Sequence, residues 1–438
     1  MFILACLACS NASAEPLSLG SGPHLFIDDF LIADQSGLAR AVNHPERLPE
    51  PVVTGPEDKC FQPYLTVLRD QDSGRFRIWY GVPENAAQSH VAYMESDDGI
   101  NWERPHRVLD DPSPIQFGVS IIDDGAGPQR YKYGYWRDGG LRIAASPDGL
   151  TWAPLVDRVV LPHNHDISSI FRDPIRNRYV AMISSYREGD AWEGPRRVTM
   201  TSVSDDLINW TEKDLAFTPD GDDEGETQFY CCAGLIARGG LLIGTLKVLR
   251  DDLPANADGP VAGIGYTVLV WSRDGETWHR DRQEFLPRNP EPGTWDHAMT
   301  WGDCQLVVGD ETFIYYGGYK QGHKSERFTE RQIGLARMPR DRYVARVAGN
   351  TRGTLRTPLL TLSSASMTIN AKIDGYLRVR VLDESGAPIP GLDWDDCPSI
   401  TGDSIAHPVP LHLPRGRPIH LEFALRNASV FGFDLLLP

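Results

Sequence analysis

Short apolar runs, six or seven residues long and rich in aromatic and β-branched side chains, recur at 75–81, 130–136, 178–183, 241–246 and 312–317. Such runs favour strands. No long stretch carries apolar residues at helical spacing, and the 41 glycines and 33 prolines are spread along the chain. That punctuation predicts many tight turns between short strands.

One turn pattern repeats between the runs. Ser-x-Asp-Gly-x-x-Trp occupies 96–102, 146–152 and 272–278, and a near copy at 204–210 has Leu207 where the others have glycine. A degenerate fifth copy ends at Tyr343. The anchors at 102, 152, 210, 278 and 343 lie 50 to 68 residues apart, enough for a four-stranded unit with its loops. Asp and Gly close a turn, and the Trp is a large apolar wedge between sheets. A polar run stands one step upstream of each apolar run, at 61–64, 115–118, 165–168, 226–230 and 295–298. Five units with the same order of runs predict an all-β fold: a five-bladed β-propeller. The pattern changes after Ala348, where 367–373, 377–383 and 419–425 read as strands of a small C-terminal β-sandwich. The expected organisation is a signal peptide at 1–14, a propeller at 15–348 and a sandwich at 349–438. The strand-like run 24–33 could serve either domain.

Residues 1–14 are apolar and end in Ala12-Ser13-Ala14, which fits an A-x-A cleavage site and predicts a secreted or periplasmic protein. A lipid anchor at Cys6 or Cys9 is the weaker alternative. Past that segment the chain holds five cysteines, Cys60, Cys231, Cys232, Cys304 and Cys397, which form neither a disulfide framework nor a zinc spacing. The formal net charge of −17, with no basic run, argues against nucleic acid and against an anionic membrane as partners.

The polar upstream runs carry the candidate chemistry. In a propeller the first strand of each blade lines the central channel, and buried unpaired polar groups are costly, so these residues should face a wet pocket. Three runs carry an acid near the start: Asp166, Glu226 and Asp296. Two or three carboxylates meeting in a funnel are what glycosidic cleavage requires, one protonating the leaving oxygen and another activating water or attacking the sugar. Glu226 is the expected general acid, Asp166 the base or nucleophile, and Asp296 the orienting acid. His165, His297 and His323 could orient hydroxyls, with Gln62 and Gln228 as further polar partners. Trp295, Trp301, Tyr230, Tyr186 and Trp192 are candidate sugar platforms, and Arg187 could bind a carboxylated sugar. The partner expected is a carbohydrate substrate. No cofactor or catalytic metal is indicated, and a structural calcium is left open.

These residues resemble the five-bladed β-propeller glycosidase superfamily of invertases, levansucrases and arabinanases, over about 23–348. The matching pieces are 25–32, His165-Asp166, 226–230, Trp295-Asp296-His297, and 315–318 with His323. The tail segments 402–404 and 418–426 look like the C-terminal domain of secreted propeller proteins from polysaccharide-degrading bacteria. The resemblance implies a secreted glycoside hydrolase acting on a plant or algal poly- or oligosaccharide. The superfamily places an Asp in its first blade; here that blade offers only Glu57 and Asp58 ahead of Gln62, and the second offers Gln116 with no acid. Two alternatives stand beside hydrolysis: a carbohydrate-binding propeller without catalysis, and a sialidase-like enzyme, which would want six blades and an arginine cluster.

Overall fold

The computed structural model describes residues 15–437 except 86–87, 111–116, 126, 191 and 326–329. The signal-like segment 1–14 and Gln116 therefore lie outside the described residues. Strand dominates: the one helix among the described residues is the four-residue Gly55–Asp58. The chain divides into two compact units, Val42–Arg340 and the chain through Ala41 together with Asp341–Pro438.

The larger unit contains five successive antiparallel sheets, of which the fourth and fifth are joined into one by a parallel pairing, Gly265↔Met299. Sheet one is Gln62–Arg69, Phe76–Asn85, Gln88–Ser96 and Arg107–Val108; sheet two begins with Phe117–Asp123, sheet three with Ser168–Asp173, sheet four with Thr227–Arg238 and sheet five with Met299–Val308. Within each sheet the first three strands follow in chain order, as hairpins dictate. Each first strand packs against the first strand of the next sheet, and that of sheet five packs against that of sheet one. The five first strands surround a cavity of about 960 Å³. Sheet five takes its outermost strand, Glu46–Arg47, from ahead of sheet one, through Ala336↔Arg47 and Arg337↔Glu46. Segments far apart in sequence thus complete one sheet.

The repeated turn explains why the hairpins stop where they do. In the first copy the Asp98 carboxylate accepts the amides of Ile100 and Asn101, both at 2.8 Å, and the Ser96 hydroxyl accepts the Gly99 amide at 2.9 Å. Burial opposes it, yet the Asn101 and Ile100 amides hold the Asp98 carboxyl down at about 2; the Asn209 and Ile208 amides do the same for Asp206. The third turn position needs a left-handed backbone, with φ of +73° at Gly99 and +65° at Leu207. A Cβ at Gly99 would meet the Tyr315 hydroxyl at 2.5 Å, whereas the Leu207 side chain is buried among Ala181, Ile183 and Val198. The near copy therefore exchanges an easy backbone for an apolar contact. The tryptophans act as wedges: Trp102 meets Tyr315 of sheet five, and Trp278 meets Phe217 of sheet three.

A polar pin joins three sheets inside this unit. Asp303, on the first strand of sheet five, accepts the Leu65 amide of sheet one at 2.7 Å and pairs with Lys247 of sheet four. Lys247 is 2% exposed and Asp303 8%. Lys247 also lies over the ring of Tyr64, 5.1 Å from its centroid.

The second unit is an eight-stranded sheet built on the long strands Met367–Leu382 and His420–Leu435, which pair along their length. Two expectations change here. The boundary does not fall after Ala348, because Val344–Ala348 pairs with His420–Leu435 through Arg346↔Val430. Nor does 15–41 belong with the five sheets: Gly22–Leu25 pairs with the same long strand, and Phe26 packs edge-on against Phe423 at 5.8 Å. The apolar side chains of the early run find their complement in the C-terminal core, a pairing that local pattern does not encode.

Replacing Lys247 by Met leaves the Asp303 carboxylate buried without its cation. The expected loss is about 3–5 kcal/mol, read from denaturant unfolding. A Lys247→Met, Asp303→Leu double variant should recover much of it.

Candidate active site

Where inner strands begin, side chains from four sheets meet. His165 and Asp166 stand in the loop before the first strand of sheet three. Tyr186 and Arg197 face each other across the second and third strands of that sheet. Gln228 and Tyr230 open the first strand of sheet four, and Asp251 follows its second strand. Sheet five adds Trp301 and, on a loop, His323.

Polar contacts link these residues in a chain. Asp166 Oδ1 is 3.1 Å from His165 Nε2. The same nitrogen accepts from Arg197 Nε at 3.1 Å. Arg197 Nη1 donates to Gln228 Oε1 at 2.8 Å and lies 3.7 Å from Asp251 Oδ2. Asp251 Oδ1 is 3.3 Å from His323 Nδ1. Aromatic rings wall the chain: Arg197 lies over Tyr186 and Tyr230, at 5.0 and 4.8 Å, and Tyr230 packs on Trp301 at 4.6 Å.

The electrostatics follow from this packing. Burial, then the Arg197 charge, push the His165 imidazole down to about 2, so it is neutral and able to accept. Burial lowers His323 as well, against its bond to Asp251. Burial works against the Asp251 charge, but His323, Lys324 and Arg197 together hold that carboxyl below its ordinary value. Burial, then the Asp166 charge, raise the Tyr230 phenol. Asp166 also raises the phenols of Tyr64 and Tyr186, behind the larger effect of burial. The Asp166 side chain keeps 25% of its surface exposed, so it is the open carboxylate of the group.

Of the residues expected from sequence, His165, Asp166, Gln228, Tyr230 and His323 come together, along with Tyr186 and Trp301. The other expected acids do not join them. Asp296 is 1% exposed; its oxygens accept from Asn289 Nδ2 at 2.8 Å and the Tyr316 hydroxyl at 2.9 Å, with Arg47 Nε at 3.6 Å. It secures the loop before sheet five to the strand that completes that sheet, so it is not an acid facing substrate. Glu226 sits exposed on the turn before sheet four. His297 spends both ring nitrogens on Asn289 O at 2.8 Å and Asn256 Oδ1 at 3.0 Å. Trp295 stacks on Tyr316 at 5.5 Å and donates to Pro49 O at 3.1 Å, a wedge within sheet five rather than a platform. Arg187 is one residue beyond Tyr186 in an extended strand and so points to the opposite face, where its guanidinium meets Met200 Sδ at 3.9 Å. The side chain of Gln62 lies outside the described residues.

Three participants escaped the sequence reading: Tyr64, Arg197 and Asp251. Arg196-Arg197 looks like a solvated pair, yet strand alternation turns only Arg197 inward, opposite Tyr186. Asp251 follows the apolar strand Leu241–Arg250 in what reads as an ordinary acidic turn. Among the described residues no cluster of His, Cys, Asp and Glu could hold a metal ion, and no helix is long and apolar enough to cross a membrane.

No protein-family model matches the chain, and no curated protein matches it. Solved structures do resemble it, and glycoside hydrolases recur among them. A glycosyl hydrolase from Bacteroides ovatus is 14% identical, covering 68% of this chain and 94% of its own, with a TM-score of 0.47. The exo-β-1,3-galactanase of Phanerochaete chrysosporium is 12% identical over 87% of this chain and 100% of its own, at 0.46. An N-acetylgalactosamine deacetylase from F. plautii, in complex with blood group B trisaccharide, is 16% identical over 70% and 97%, at 0.46. These are distant likenesses, and the functional reading rests on the chemistry of the site.

His165 folds neutral, at about 2 against 6.5 for the free imidazole, so the unfolded chain takes up the extra proton. Its share of stability is full above pH 6.5 and is lost as pH falls, by up to about 1.4 kcal/mol per pH unit. Urea unfolding of a His165→Gln variant should therefore fall less steeply between pH 7 and pH 5 than that of the unaltered protein.

Proposed function

We propose that the larger unit is a five-bladed β-propeller, that the C-terminal strands form a β-sandwich, and that the protein is an exported glycoside hydrolase. The cyclic packing of five first strands around one cavity supports the propeller. The observation that carries the activity is the open carboxylate of Asp166, set among aromatic rings and donors where inner strands begin. Aromatic faces suit the apolar face of a sugar ring, and a dense set of donors and acceptors suits its hydroxyls.

Asp166 is the acid in this reading. Its side chain is 25% exposed beside His165 and the aromatic rings, within reach of a glycosidic oxygen, the position a leaving-group acid requires. Asp166 gives a proton to the glycosidic oxygen as the bond from C1 breaks. Asp251, kept ionised by His323, Lys324 and Arg197, is the second carboxylate. It stabilises positive charge developing on the ring and takes the proton of the water that adds at C1. Glu226 and Asp296 have no chemical step.

A second reading, a sugar-binding propeller without turnover, is favoured by one observation: Asp296 is sealed and Glu226 stands apart, so fewer acids converge than the sequence pattern promises. The two readings separate on a panel of plant and algal polysaccharides, their oligosaccharides and aryl glycosides. Hydrolysis predicts turnover of at least one substrate, lowered about 100-fold or more by Asp166→Asn and little changed by Glu226→Gln. Turnover that survives Asp166→Asn contradicts the assignment. Binding without turnover in the unaltered protein supports the second reading.

A further inference from the structure

Arg197 is held differently from Arg130, Arg250 and Arg104. Arg130 is gripped by both oxygens of Asp123, at 2.6 and 2.9 Å. Arg250 is gripped by Asp252 at 2.9 and 2.8 Å, and Arg104 by Asp58 at 2.8 Å twice. In each of these a carboxylate fork quenches the guanidinium and fixes it. Arg197 is instead positioned by two neutral acceptors, His165 Nε2 at 3.1 Å and Gln228 Oε1 at 2.8 Å. The carboxylate oxygen paired with it, Asp251 Oδ2, is 3.7 Å away, beyond hydrogen-bond distance. The Arg197 guanidinium also lies over two tyrosine rings, 5.0 Å from the centroid of Tyr186 and 4.8 Å from that of Tyr230. The remaining nitrogen, Nη2, makes no hydrogen bond among the described residues and is not buried. The side chain keeps 13% of its surface exposed.

A guanidinium hydrogen-bonded only to neutral partners, with one donating nitrogen left over, shares its charge with Asp251 at 3.7 Å and still presents a cationic donor to a ligand. A neutral hydroxyl would need only a neutral donor there, such as the amide of a glutamine. Planar N–H donors on a fixed cation match a carboxylate best. Resting on the reading of this cluster as a sugar site, we infer that its substrate class is acidic: the sugar is a uronic acid, whose ring carboxylate is received by Arg197 Nη2. Tyr186, 36% exposed and beside that nitrogen, is the ring face over which the uronate lies. The Asp251 charge sets a limit on this preference, and Lys324, 3.7 Å away, offsets it.

The test is calorimetric titration of the full chain. The probes are glucuronate, galacturonate and mannuronate oligosaccharides, each paired with its carboxyl-reduced, neutral counterpart. At least one acidic oligosaccharide should bind roughly tenfold or more tightly than its reduced form, as one charge-assisted hydrogen bond implies. Arg197→Met should erase that preference while the neutral form still binds, and Arg197→Lys should keep part of it. If reduced and acidic forms bind equally to the unaltered protein, or the preference survives Arg197→Met, the inference is overturned and the sugar site stands. If neither form of any probe binds, both are overturned. The comparison within the unaltered protein needs no substitution, so a poorly folding variant does not remove the test.

Discussion

The cyclic closure of five sheets is the constraint on which the rest depends. Every first strand has its neighbours on both sides only if sheet five meets sheet one, and these come from opposite ends of the unit. Two devices make that junction. Glu46–Arg47 completes sheet five from ahead of sheet one. The Asp303 carboxylate takes the Leu65 amide and the Lys247 ammonium at the cavity wall. Both charges are removed from water, so neither can be lost alone without leaving the other stranded. Apolar contact alone would tolerate sliding between the strands; the fixed geometry of a buried charge does not.

The site follows from that closure. Sheets three, four and five each contribute through loops and strand starts, so His165, Gln228 and Trp301 converge although more than 130 residues separate the first from the last. What converges is mostly committed: His165 holds Arg197, Gln228 holds Arg197, and His323 holds Asp251. Two groups remain accessible to a ligand: the part-exposed carboxylate of Asp166 and one nitrogen of Arg197. Rigid rings of Tyr186 and Tyr230 keep them in place without engaging their polar atoms. A site arranged this way is preorganised, with little rearrangement left to make when a ligand arrives.

Much of the architecture was legible in the chain because it is local. The Ser-x-Asp-Gly turn is closed by atoms within seven residues, and its Asp98 geometry returns at Asp148, Asp206 and Asp274. Even Leu207 obeys it, at φ +65°. Positions that depend on long-range pairing were illegible. Asp296 and Asp166 stand in equivalent upstream runs, yet one meets Arg47 from a distant strand and the other stays open. Nothing in the local sequence separates them. Arg196 and Arg197 are alike in sequence, and only strand alternation against Tyr186 reveals which of the two turns toward the site. The early run 24–33 likewise found its partner some 400 residues away, in the strand His420–Leu435.

The most direct measurement is a crystal structure of the protein with an oligosaccharide bound. The account predicts one sugar ring over Tyr186, its glycosidic oxygen within hydrogen-bond distance of Asp166, and the chain from His165 through Arg197 to Asp251 unchanged. Density for the sugar at another face, or an Arg197 drawn away from His165 and Gln228, would contradict it.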